Sequence, residues 1–362
     1  MTQSIPKPEV VSEKEFLAVL EWLNRADRET AKALLSSPSI GLSGLKMRND
    51  LSRAAGALYC LDGFGAVDNV GRRAAINAFG ARAVNQTAAS EILSAAVAVR
   101  TGMSLAQFPI PYMAVEFYDG AISELKSYVR ADRLNERIED GRLVTDRPTT
   151  TEESMPTLEA CFRGIGEVGR GKATTVLESA IEHGALLELA GLDYGRGGER
   201  EVKLYFCADA NKIESGFPAE LAAGVLETTL AAGNVLADYQ STEFFIRSMI
   251  DSGLSCSQIA VGFSDQGQIN TKLYFDAWEA TSHAKPMIDD AAILRAMKEC
   301  YRFTGVPQSD DNITQFLQAV SSRSMVMETI AVDIAHDVRG VKAYINTPRD
   351  RGLGIRPASV QP

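Results

Sequence analysis

The sequence predicts an α+β protein built from a repeated unit of two antiparallel strands followed by two helices. Three observations lead to this fold class. Apolar strand patterns recur in pairs around a Gly-bearing turn, which is typical of β-hairpins. The second strand of each pair carries the same Lys-x-Tyr triplet. The segments between the pairs have helical patterns with capping residues at their ends.

Four hairpins share this pattern, and each ends in a Lys-x-Tyr strand. Their sequences are YMAVEFYDGAISELKSYVRA, LLELAGLDYGRGGEREVKLYFCA, SQIAVGFSDQGQINTKLYFDA and METIAVDIAHDVRGVKAYIN. The lysines are Lys126, Lys203, Lys272 and Lys342, and the tyrosines are Tyr128, Tyr205, Tyr274 and Tyr344. Consecutive tyrosines are 77, 69 and 70 residues apart, which indicates a repeat of about 70 residues.

Helical patterns fill the segments between the hairpins. The patterns are TTTEESMPTLEACFRGIGEVG and GKATTVLESAIEHG, then PAELAAGVLETTLAAGNVLADYQ and STEFFIRSMIDSG, then MIDDAAILRAMKECYRFTG and NITQFLQAVSS. Thr, Ser and Glu near the start of the first pattern, and Gly at the end of the second, are typical capping residues.

A fifth, degenerate unit is predicted near the N-terminus. Tyr59 lies 69 residues before Tyr128, but Ala57 stands where the lysine is expected. The preceding segment, IGLSGLKMRNDLS, is a poor strand, and GRRAAINAFG and TAASEILSAAVAVRTG then have helical patterns. We expect one domain over residues 1–350, in which residues 1–105 are mainly helical with a possible first hairpin. The Gly- and Pro-rich residues 351–362 are expected to form a flexible tail.

Successive hairpins with helices between them predict one antiparallel sheet with helices outside it. An eight-stranded barrel is filled by its own side chains, whereas ten strands leave room for a ligand. An open sheet with helices on one face is the alternative, and repetition alone does not decide between closure and an open edge.

Composition excludes several classes of protein. The net charge of −10 argues against a general nucleic-acid binder, which needs a broad basic field. The five scattered cysteines contain no CxxC pair and indicate a reduced, cytoplasmic protein. The N-terminus lacks a signal-peptide pattern, and no apolar run reaches about 18 residues, so no membrane association is expected.

The Lys-x-Tyr strands have a distinct polar face. Residues two apart on a strand share a face, so each lysine lies beside its tyrosine. The neighbouring apolar residues, which face the helices, are Leu125, Leu204, Leu273 and Val341. In a closed barrel the ammonium groups converge, and their repulsion predicts a multiply charged anion such as diphosphate. The aromatic rings suit a reaction that forms a carbocation, because their faces attract cations and shield them from water.

These repeated units resemble the soluble ABBA-type aromatic prenyltransferases, over residues 106–346 or more. The resemblance implies a ten-stranded antiparallel β-barrel surrounded by helices, the PT barrel. It also implies transfer of a dimethylallyl or longer isoprenyl group from its diphosphate to an electron-rich indole or phenol acceptor. By this resemblance Lys126, Lys203, Lys272 and Lys342 bind the diphosphate, and Tyr128, Tyr205, Tyr274 and Tyr344 shield the allylic cation. The acceptor can also be a peptide, no cofactor is required, and Mg²⁺ can accompany the diphosphate.

Three acidic residues are candidates for acceptor binding or catalysis. The resemblance implies that members acting on indole carry a glutamate on an early strand, for which Glu116 is the candidate here. A two-residue turn at Asp119-Gly120 makes Glu116 face the helices and places Met113 opposite Lys126, whereas a longer turn would reverse the two faces.

Turn lengths predict two further pairs, Glu188 opposite Tyr205 and Asp333 opposite Lys342. Either carboxylate could orient the acceptor or take its proton, and each could instead neutralise a lysine.

A non-enzymatic protein is the alternative function. A repeat-built ligand-binding or interaction protein could carry the same Lys/Tyr pattern on a solvated sheet face. The sequence contains no DDxxD motif, which disfavours helical terpene synthases and membrane prenyltransferases. The two functions differ in geometry, because an enzyme requires the lysines to surround one cavity.

Overall fold

The computed structural model describes residues 2–4, 9–35, 40–61, 112–131, 136–139, 142–145, 165–195, 198–207, 239–277, 289–323, 325–334, 339–346 and 355–357, with residues 155, 158, 159, 162, 224 and 227. Its helices are α1 (Glu13–Leu20), α2 (Arg25–Leu34), α3 (Glu167–Glu182), α4 (Tyr239–Asp251), α5 (Asp290–Thr304) and α6 (Asp310–Ser322). Its strands are β1 (Thr2–Ser4), β2 (Glu9–Val11), β3 (Ile40–Arg48), β4 (Asp50–Leu61), β5 (Tyr112–Tyr118), β6 (Ala121–Arg130), β7 (Glu136–Glu139), β8 (Arg142–Thr145), β9 (Leu186–Gly195), β10 (Arg200–Cys207), β11 (Ser255–Ser264), β12 (Ile269–Asp276), β13 (Val326–Ile334), β14 (Arg339–Asn346) and β15 (Ile355–Pro357).

Ten antiparallel strands form a closed barrel, which confirms the predicted fold class. The strands β3 to β6 and β9 to β14 pair in chain order, and β14 then pairs with β3, with Tyr344 opposite Lys46. Closure excludes the open sheet that the sequence left as an alternative. The lumen therefore collects the inward-facing side chains of five hairpins.

Helices cover the outside of the barrel through an apolar core. The outward residues Leu125, Leu204, Leu273 and Val341 are almost completely buried in it. Phe245 of α4 packs edge-on against Phe275 of β12, with ring centroids 5.6 Å apart. None of the described helices is long and apolar enough to cross a membrane. The predicted helices at GRRAAINAFG and TAASEILSAAVAVRTG lie outside the described residues.

The first hairpin is better formed than the sequence suggests. Residues 40–48 form a nine-residue strand, so the interpretation of this segment as a poor strand is wrong. Tyr59 faces outward and its hydroxyl donates to the Ala31 carbonyl oxygen of α2 at 3.3 Å. Leu58, which lies opposite Ala114 of β5, faces the lumen in its place. Tyr59 is therefore not equivalent to the other four tyrosines, and the residue in the equivalent position is its neighbour Leu58.

β-Bulges interrupt the alternation of the sheet at several places. One bulge lies between Glu116 and Phe117, where Glu116 is opposite Glu124 and Phe117 is opposite Ile122. Bulges also recur near the start of the first strand of three later hairpins, where the extra residues are Glu188, Ser257 and Glu328. Each bulge shifts the inward and outward positions by one residue, which changes the site.

Short strands lie beside the barrel. β1, β8 and β7 form a separate three-stranded sheet, while β15 pairs with β2 and, through Ile355 opposite Leu42, with β3. Ile355–Pro357 is thus paired, and the flexible tail expected over residues 351–362 stays a prediction. The predicted single domain over residues 1–350 stays a prediction.

Candidate active site

Five lysines of the described chain form one layer in the lumen, and each hairpin supplies one of them. They are Lys46, Lys126, Lys203, Lys272 and Lys342, and each is 6–9% exposed. The four lysines predicted from the repeat therefore do come together around one cavity. A buried ammonium group is costly unless it is paired or binds an anion, so this layer needs counter-charges.

Lys46 is the lysine that the sequence did not predict. It lies on β3, the first strand of its hairpin, whereas the others lie on second strands. Gly56 lies opposite Lys46, and a Cβ atom there would lie 2.5 Å from the Val115 carbonyl oxygen and 3.3 Å from Cε of Lys46. The glycine therefore leaves the space that Lys46 fills. The sequence did contain a signal for an inward-facing Lys46, because the polar residues Lys46 and Arg48 alternate with the apolar residues Leu45 and Met47, which are buried.

The four predicted tyrosines lie one layer deeper and form a continuous arc of rings. Ring centroids of Tyr128 and Tyr205 are 5.9 Å apart, those of Tyr205 and Tyr274 are 5.9 Å apart, and those of Tyr274 and Tyr344 are 6.0 Å apart. The Lys272 ammonium lies 5.9 Å from the Tyr274 ring centroid. Burial raises the pKa of Tyr128, Tyr205 and Tyr344, which keeps these phenols neutral.

Carboxylates alternate with the lysines around the lumen. They are Glu116, Glu124, Asp193, Glu201 and Asp333. Lys126 contacts three of them: Glu116 at 3.0 Å, Glu124 at 2.7 Å and Asp193 at 2.8 Å. The lysine layer is thus largely neutralised by the protein itself. The sequence predicted this role for Asp333 but for none of the other four carboxylates.

Glu116 faces the lumen, so the prediction that it faces the helices is wrong. The Asp119-Gly120 turn is as predicted, with positive φ angles of 51° and 80°. The bulge between Glu116 and Phe117 then shifts the register, so that Ala114 and not Met113 lies opposite Lys126. Glu116 pairs with Lys46 and with Lys126.

Asp193 is the most deeply buried carboxylate, with 1% of its side chain exposed. Oδ2 of Asp193 accepts from both Lys126 and Lys203. Although burial alone raises it, these two ammonium groups hold the pKa of Asp193 well below its usual range. Asp193 is therefore ionised and joins two lysines.

Glu201 joins the same cluster from β10. Its carboxylate lies 2.6 Å from the Lys203 ammonium and accepts from Nδ2 of Asn270 at 3.0 Å. A Cβ atom at Gly262 would clash with Oε1 of Glu201. The absent side chain of residue 262 lets Glu201 reach into the lumen.

Asp333 and Lys342 form an ion pair, but not in the predicted register. Asp333 lies opposite Gly340 on β14 and opposite Lys272 on β12. Its carboxylate lies 3.0 Å from the Lys342 ammonium and 3.4 Å from that of Lys272. The prediction of direct opposition assumed a two-residue turn, whereas Ile334 pairs with Arg339 across a four-residue connection.

Glu188 is displaced by the bulge that contains it, so its predicted pairing with Tyr205 is wrong. Leu189 lies opposite Tyr205, and Glu188 accepts from Nε2 of Gln258. Since Gly191 lies opposite Lys203, Glu188 is beyond the tyrosine arc on the side away from the lysines. A catalytic role for Glu188 stays a prediction.

Two sequence patterns mark the carboxylates in hindsight. The first strands of four hairpins each contain a triplet in which a small residue is followed by an apolar residue and then by a third residue. The triplets are AVE, GLD, AVG and AVD. The third residue is acidic in three of them and Gly262 in the other. In addition, Glu124 and Glu201 precede their lysines by two residues and share their face.

The lumen contains a cavity of about 240 Å³ at the end where the hairpin turns lie. The lysines Lys126, Lys203, Lys272 and Lys342 line it, together with Glu116, Glu124, Glu201 and Asp333. A second void of about 20 Å³ lies between the lysines and the tyrosines, and it is lined by all four rings. The arrangement can hold a polyvalent anion above an aromatic floor.

Three of the lumen carboxylates lie close enough together to suggest a divalent-metal site. Carboxylate oxygens of Glu124, Asp193 and Glu201 lie within 4.8 Å of one another. Lys126 and Lys203 already contact all three carboxylates. The residues therefore fit an ion-pair network better than a cage of oxygen ligands free for Mg²⁺.

Solved structures of prenyltransferases have this fold at low sequence identity. The chain is similar to 5-dimethylallyltryptophan synthase from Streptomyces coelicolor, with a TM-score of 0.56, 18% identity and coverage of 94% of this chain and 96% of that chain. It is similar to 6-dimethylallyltryptophan synthase from Micromonospora olivasterospora in complex with DMASPP and Trp, with a TM-score of 0.58, 13% identity and coverage of 95% and 99%. It is also similar to the prenyltransferase PriB in ternary complex with L-tryptophan and dimethylallyl thiolodiphosphate, with a TM-score of 0.51, 14% identity and coverage of 95% and 97%.

No protein-family model and no curated protein sequence matches this chain. At 18% identity or less, the structural likeness establishes the fold and leaves function to the site. The chain therefore has the closed PT-barrel fold of aromatic prenyltransferases.

Proposed function

We propose that this protein is an aromatic prenyltransferase that transfers a dimethylallyl group from its diphosphate to an electron-rich aromatic acceptor. The observation that carries the proposal is the two-layer lumen, in which five buried lysines lie directly above an arc of four tyrosines. An interaction scaffold with a solvated Lys/Tyr face has no reason to enclose these residues.

The lysine layer binds the diphosphate and stabilises it as a leaving group. The C–O bond breaks, its electron pair leaves with the diphosphate, and an allylic cation remains. Lys272 and Lys342 share a single carboxylate, Asp333, so they have the most capacity for a new anion. Charge-assisted contacts of this kind strengthen as negative charge develops on the leaving oxygen.

The tyrosine arc faces the cation as it forms. Each ring attracts a nearby cation by about 0.5–2 kcal/mol, the larger value applying where water is excluded. Burial raises the pKa of Tyr205 and Tyr344, so these two phenols are neutral and lack the stronger nucleophilicity of a phenolate. The arc also excludes water that would hydrolyse the cation.

A carbon of the aromatic acceptor attacks the cation, a new C–C bond forms, and the acceptor then loses a proton. The conjugate acid of a prenylated arene is far more acidic than a carboxylic acid, so a carboxylate of low pKa can accept the proton. Lys272 and Lys342 hold the pKa of Asp333 well below its usual range in spite of its burial, which keeps it ionised.

The inward position of Glu116 supports an indole as the acceptor. The resemblance to indole-specific prenyltransferases predicts a lumen glutamate on an early strand, and the bulge places Glu116 in the lumen. In the proposed complex its carboxylate accepts the indole N–H while it keeps its contact with Lys126.

Incubation with dimethylallyl diphosphate and a panel of indoles, tryptophan and phenols tests the proposal. Mass spectrometry should detect an acceptor that has gained one C5H8 unit, together with release of diphosphate. Absence of a mass gain with every acceptor, and of any thermal stabilisation by a diphosphate donor, would refute it.

A further inference from the structure

Small residues on the first strands let the four tyrosines of the arc contact one another. Each small residue lies opposite the preceding tyrosine on one side and opposite the next lysine on the other, and the next tyrosine follows that lysine by two residues. The three residues are Gly191, Ala260 and Ala331. Because they have little or no side chain, the ring centroids of neighbouring hairpins lie 5.9–6.0 Å apart across them.

Leu58 interrupts the arc. The same register continues from the last hairpin into the first, because Tyr344 lies opposite Lys46, and Lys46 lies opposite Gly56. Leu58 follows Gly56 by two residues, as each tyrosine follows its lysine. On its other side Leu58 lies opposite Ala114, a small residue like those between the tyrosines. Leu58 therefore stands where a fifth tyrosine would close the arc into a complete ring.

Side-chain burial shows that the free space of the lumen lies beside this interruption. Tyr205 and Tyr274, in the middle of the arc, are 4% and 9% exposed, whereas the two end rings, Tyr128 and Tyr344, are only half-buried. Leu58 is half-buried as well, although it faces the interior of a closed barrel. The lumen at this depth is therefore tightly packed at the middle of the arc and less so where Leu58 replaces a ring.

Leu58 faces the middle of the tyrosine arc across the lumen. In the closed barrel of ten strands, β4 is five strands from β11 in either direction, and β11 lies between the strands of Tyr205 and Tyr274. Leu58 and Ala114, which together form the aliphatic sector, line the void of about 20 Å³ with the four rings. A group in this void is thus bordered by aromatic rings on one side and by aliphatic carbon on the other.

An allylic cation against the arc needs its nucleophile on the face that the rings leave open. The reacting carbons of a cation and an arene must approach to about 3–3.5 Å with their orbitals aligned, so the two planar groups stack face to face. The tyrosine rings cover one face of the cation, and the aliphatic sector borders the other. The arene therefore belongs between the cation and the aliphatic sector.

Glu116 supplies a hydrogen-bond acceptor next to the aliphatic sector. It follows Ala114 by two residues on β5 and shares its inward face. Although burial alone raises it, Lys46 and Lys126 hold the pKa of Glu116 well below its usual range, so its carboxylate is ionised. An isoprenyl chain has no N–H or O–H group for this carboxylate, whereas an indole or a phenol has one. The pairing of an aliphatic wall with a carboxylate thus favours an arene over the tail of a longer donor.

We propose that the aliphatic sector is the seat of the acceptor arene and that Leu58 sets the size of arene that fits. This inference rests on the proposed prenyl transfer and specifies its acceptor subsite. The arene lies flat between the sector and the cation, with its N–H or O–H group directed to Glu116. The void has room for about one water molecule, so the flexible side chain of Leu58 moves aside when the arene enters. A tyrosine at this position would fill the seat.

Arene binding in the presence of dimethylallyl thiolodiphosphate tests the proposal without turnover. Equilibrium dialysis measures the affinities of indole and of the tricyclic arene carbazole, and calorimetry measures the affinity of inorganic diphosphate. Leu58→Ala should raise the affinity of carbazole relative to indole at least about fivefold, because the shorter side chain leaves room for the third ring. Leu317→Ala makes the same change at a half-buried leucine of α6, outside the barrel, and should leave that ratio unchanged.

Leu58→Tyr tests the opposite change, because it fills the seat and completes the aromatic ring. It should weaken indole binding at least about tenfold and change the affinity of inorganic diphosphate less than about twofold. Circular-dichroism melts verify the folding of both variants. The result for Leu58→Ala decides the proposal even if Leu58→Tyr does not fold, because removal of a half-buried side chain introduces no overpacking.

Three results would overturn the proposal. They are an unchanged ratio of carbazole to indole affinity in Leu58→Ala, an equal loss of indole and diphosphate affinity in folded Leu58→Tyr, and a gain in Leu58→Ala for geranyl thiolodiphosphate but not for carbazole. The last result would assign the aliphatic sector to the second isoprene unit of a longer donor.

Failure of the proposed function looks different from failure of the seat. Arene binding that depends on Leu58, without prenyl transfer to any acceptor, would refute the transferase and support the seat. Transfer to indole by Leu58→Tyr at the wild-type kcat/KM would refute the seat and support the transferase.

Discussion

Removing the charge of two lysines in the same layer should have opposite consequences. Loss of the Lys203 charge should mainly lower the stability of the protein, whereas loss of the Lys342 charge should mainly weaken diphosphate binding. Methionine has nearly the volume of lysine, so Lys203→Met and Lys342→Met remove the charge with little change of shape. Loss of Lys203 leaves Asp193 and Glu201 short of a counter-charge, and their side chains are 1% and 17% exposed. Loss of Lys342 leaves Asp333 paired with Lys272 and removes a like charge beside that lysine.

The magnitudes follow from the cost of an uncompensated buried charge. Removal of one partner of a buried ion pair costs about 3–5 kcal/mol. Lys126 and Asn270 remain as partners of Asp193 and Glu201, so we expect Lys203→Met to lower the free energy of unfolding by about 3 kcal/mol, the lower end of that range. We expect Lys342→Met to change it by less than about 1 kcal/mol, because repulsion from Lys272 is relieved.

The two variants should rank the other way in diphosphate affinity, with the larger loss in Lys342→Met. One charge-assisted contact contributes about 1.5–3 kcal/mol, so Lys342→Met should weaken the binding of inorganic diphosphate by about 10- to 100-fold. Lys203 is already saturated by its own carboxylates, so Lys203→Met should have a smaller effect on affinity. Urea unfolding at pH 7 and calorimetry with inorganic diphosphate measure the two quantities. Equal destabilisation by both variants, or a larger loss of affinity in Lys203→Met, would refute the assignment of unequal roles.

Three further predictions concern titration, backbone approach and donor size. Burial lowers the pKa of Lys46 to about 8. Because an unfolded lysine titrates near 10.5, the unfolded chain binds more protons from pH 8 to 10.5, and the Lys46 contribution to the free energy of unfolding should rise with pH there. Diphosphate affinity should fall between pH 7 and pH 9 as Lys46 loses its proton, and calorimetry should find a shallower slope in Lys46→Met. Gly56→Ala places a Cβ atom 2.5 Å from the Val115 carbonyl oxygen and should cost about 1–3 kcal/mol in urea unfolding, whereas an unchanged midpoint would contradict the close approach. The void above the tyrosines is about 20 Å³, which is room for about one water molecule, so side chains must move to admit any prenyl group. The smaller dimethylallyl group should therefore be transferred with a higher kcat/KM than the geranyl group, and Tyr205→Ala, which enlarges the void, should narrow or reverse that ratio.

Much of the fold could be predicted because the repeat is written into the sequence. The Lys-x-Tyr triplet identifies the second strand of four hairpins, and the two-residue alternation assigns both side chains to one face. Among the described residues, four of the five lysines and all four tyrosines of the lumen follow from that pattern. Closure did not follow, because it depends on β3 pairing with β14, two strands at opposite ends of the chain.

The carboxylates were harder to predict for two physical reasons. A bulge adds one residue without a sequence signal, so the faces of Glu116 and Glu188 were assigned from an unbroken register that the strands do not keep. A carboxylate two residues before a lysine, as in Glu124, also looks the same on a solvated sheet as in a closed lumen. Only closure makes such a group a partly buried partner of the lysine layer.

Lys46 was missed because its hairpin reverses the pattern of the others. The lysine stands on the first strand and a glycine, Gly56, stands opposite it on the second. The position on the second strand where the repeat predicts a lysine is therefore Ala57, which faces outward into the core. In this hairpin the lysine keeps its place in the lumen layer although its position in the repeat differs.

A crystal structure with the donor analogue dimethylallyl thiolodiphosphate tests the central claim most directly. We expect the diphosphate among Lys272, Lys342 and Lys46, with the dimethylallyl group against the rings of Tyr205 and Tyr274. Electron density for the analogue outside the lumen, or a dimethylallyl group directed away from the tyrosine arc, would contradict it.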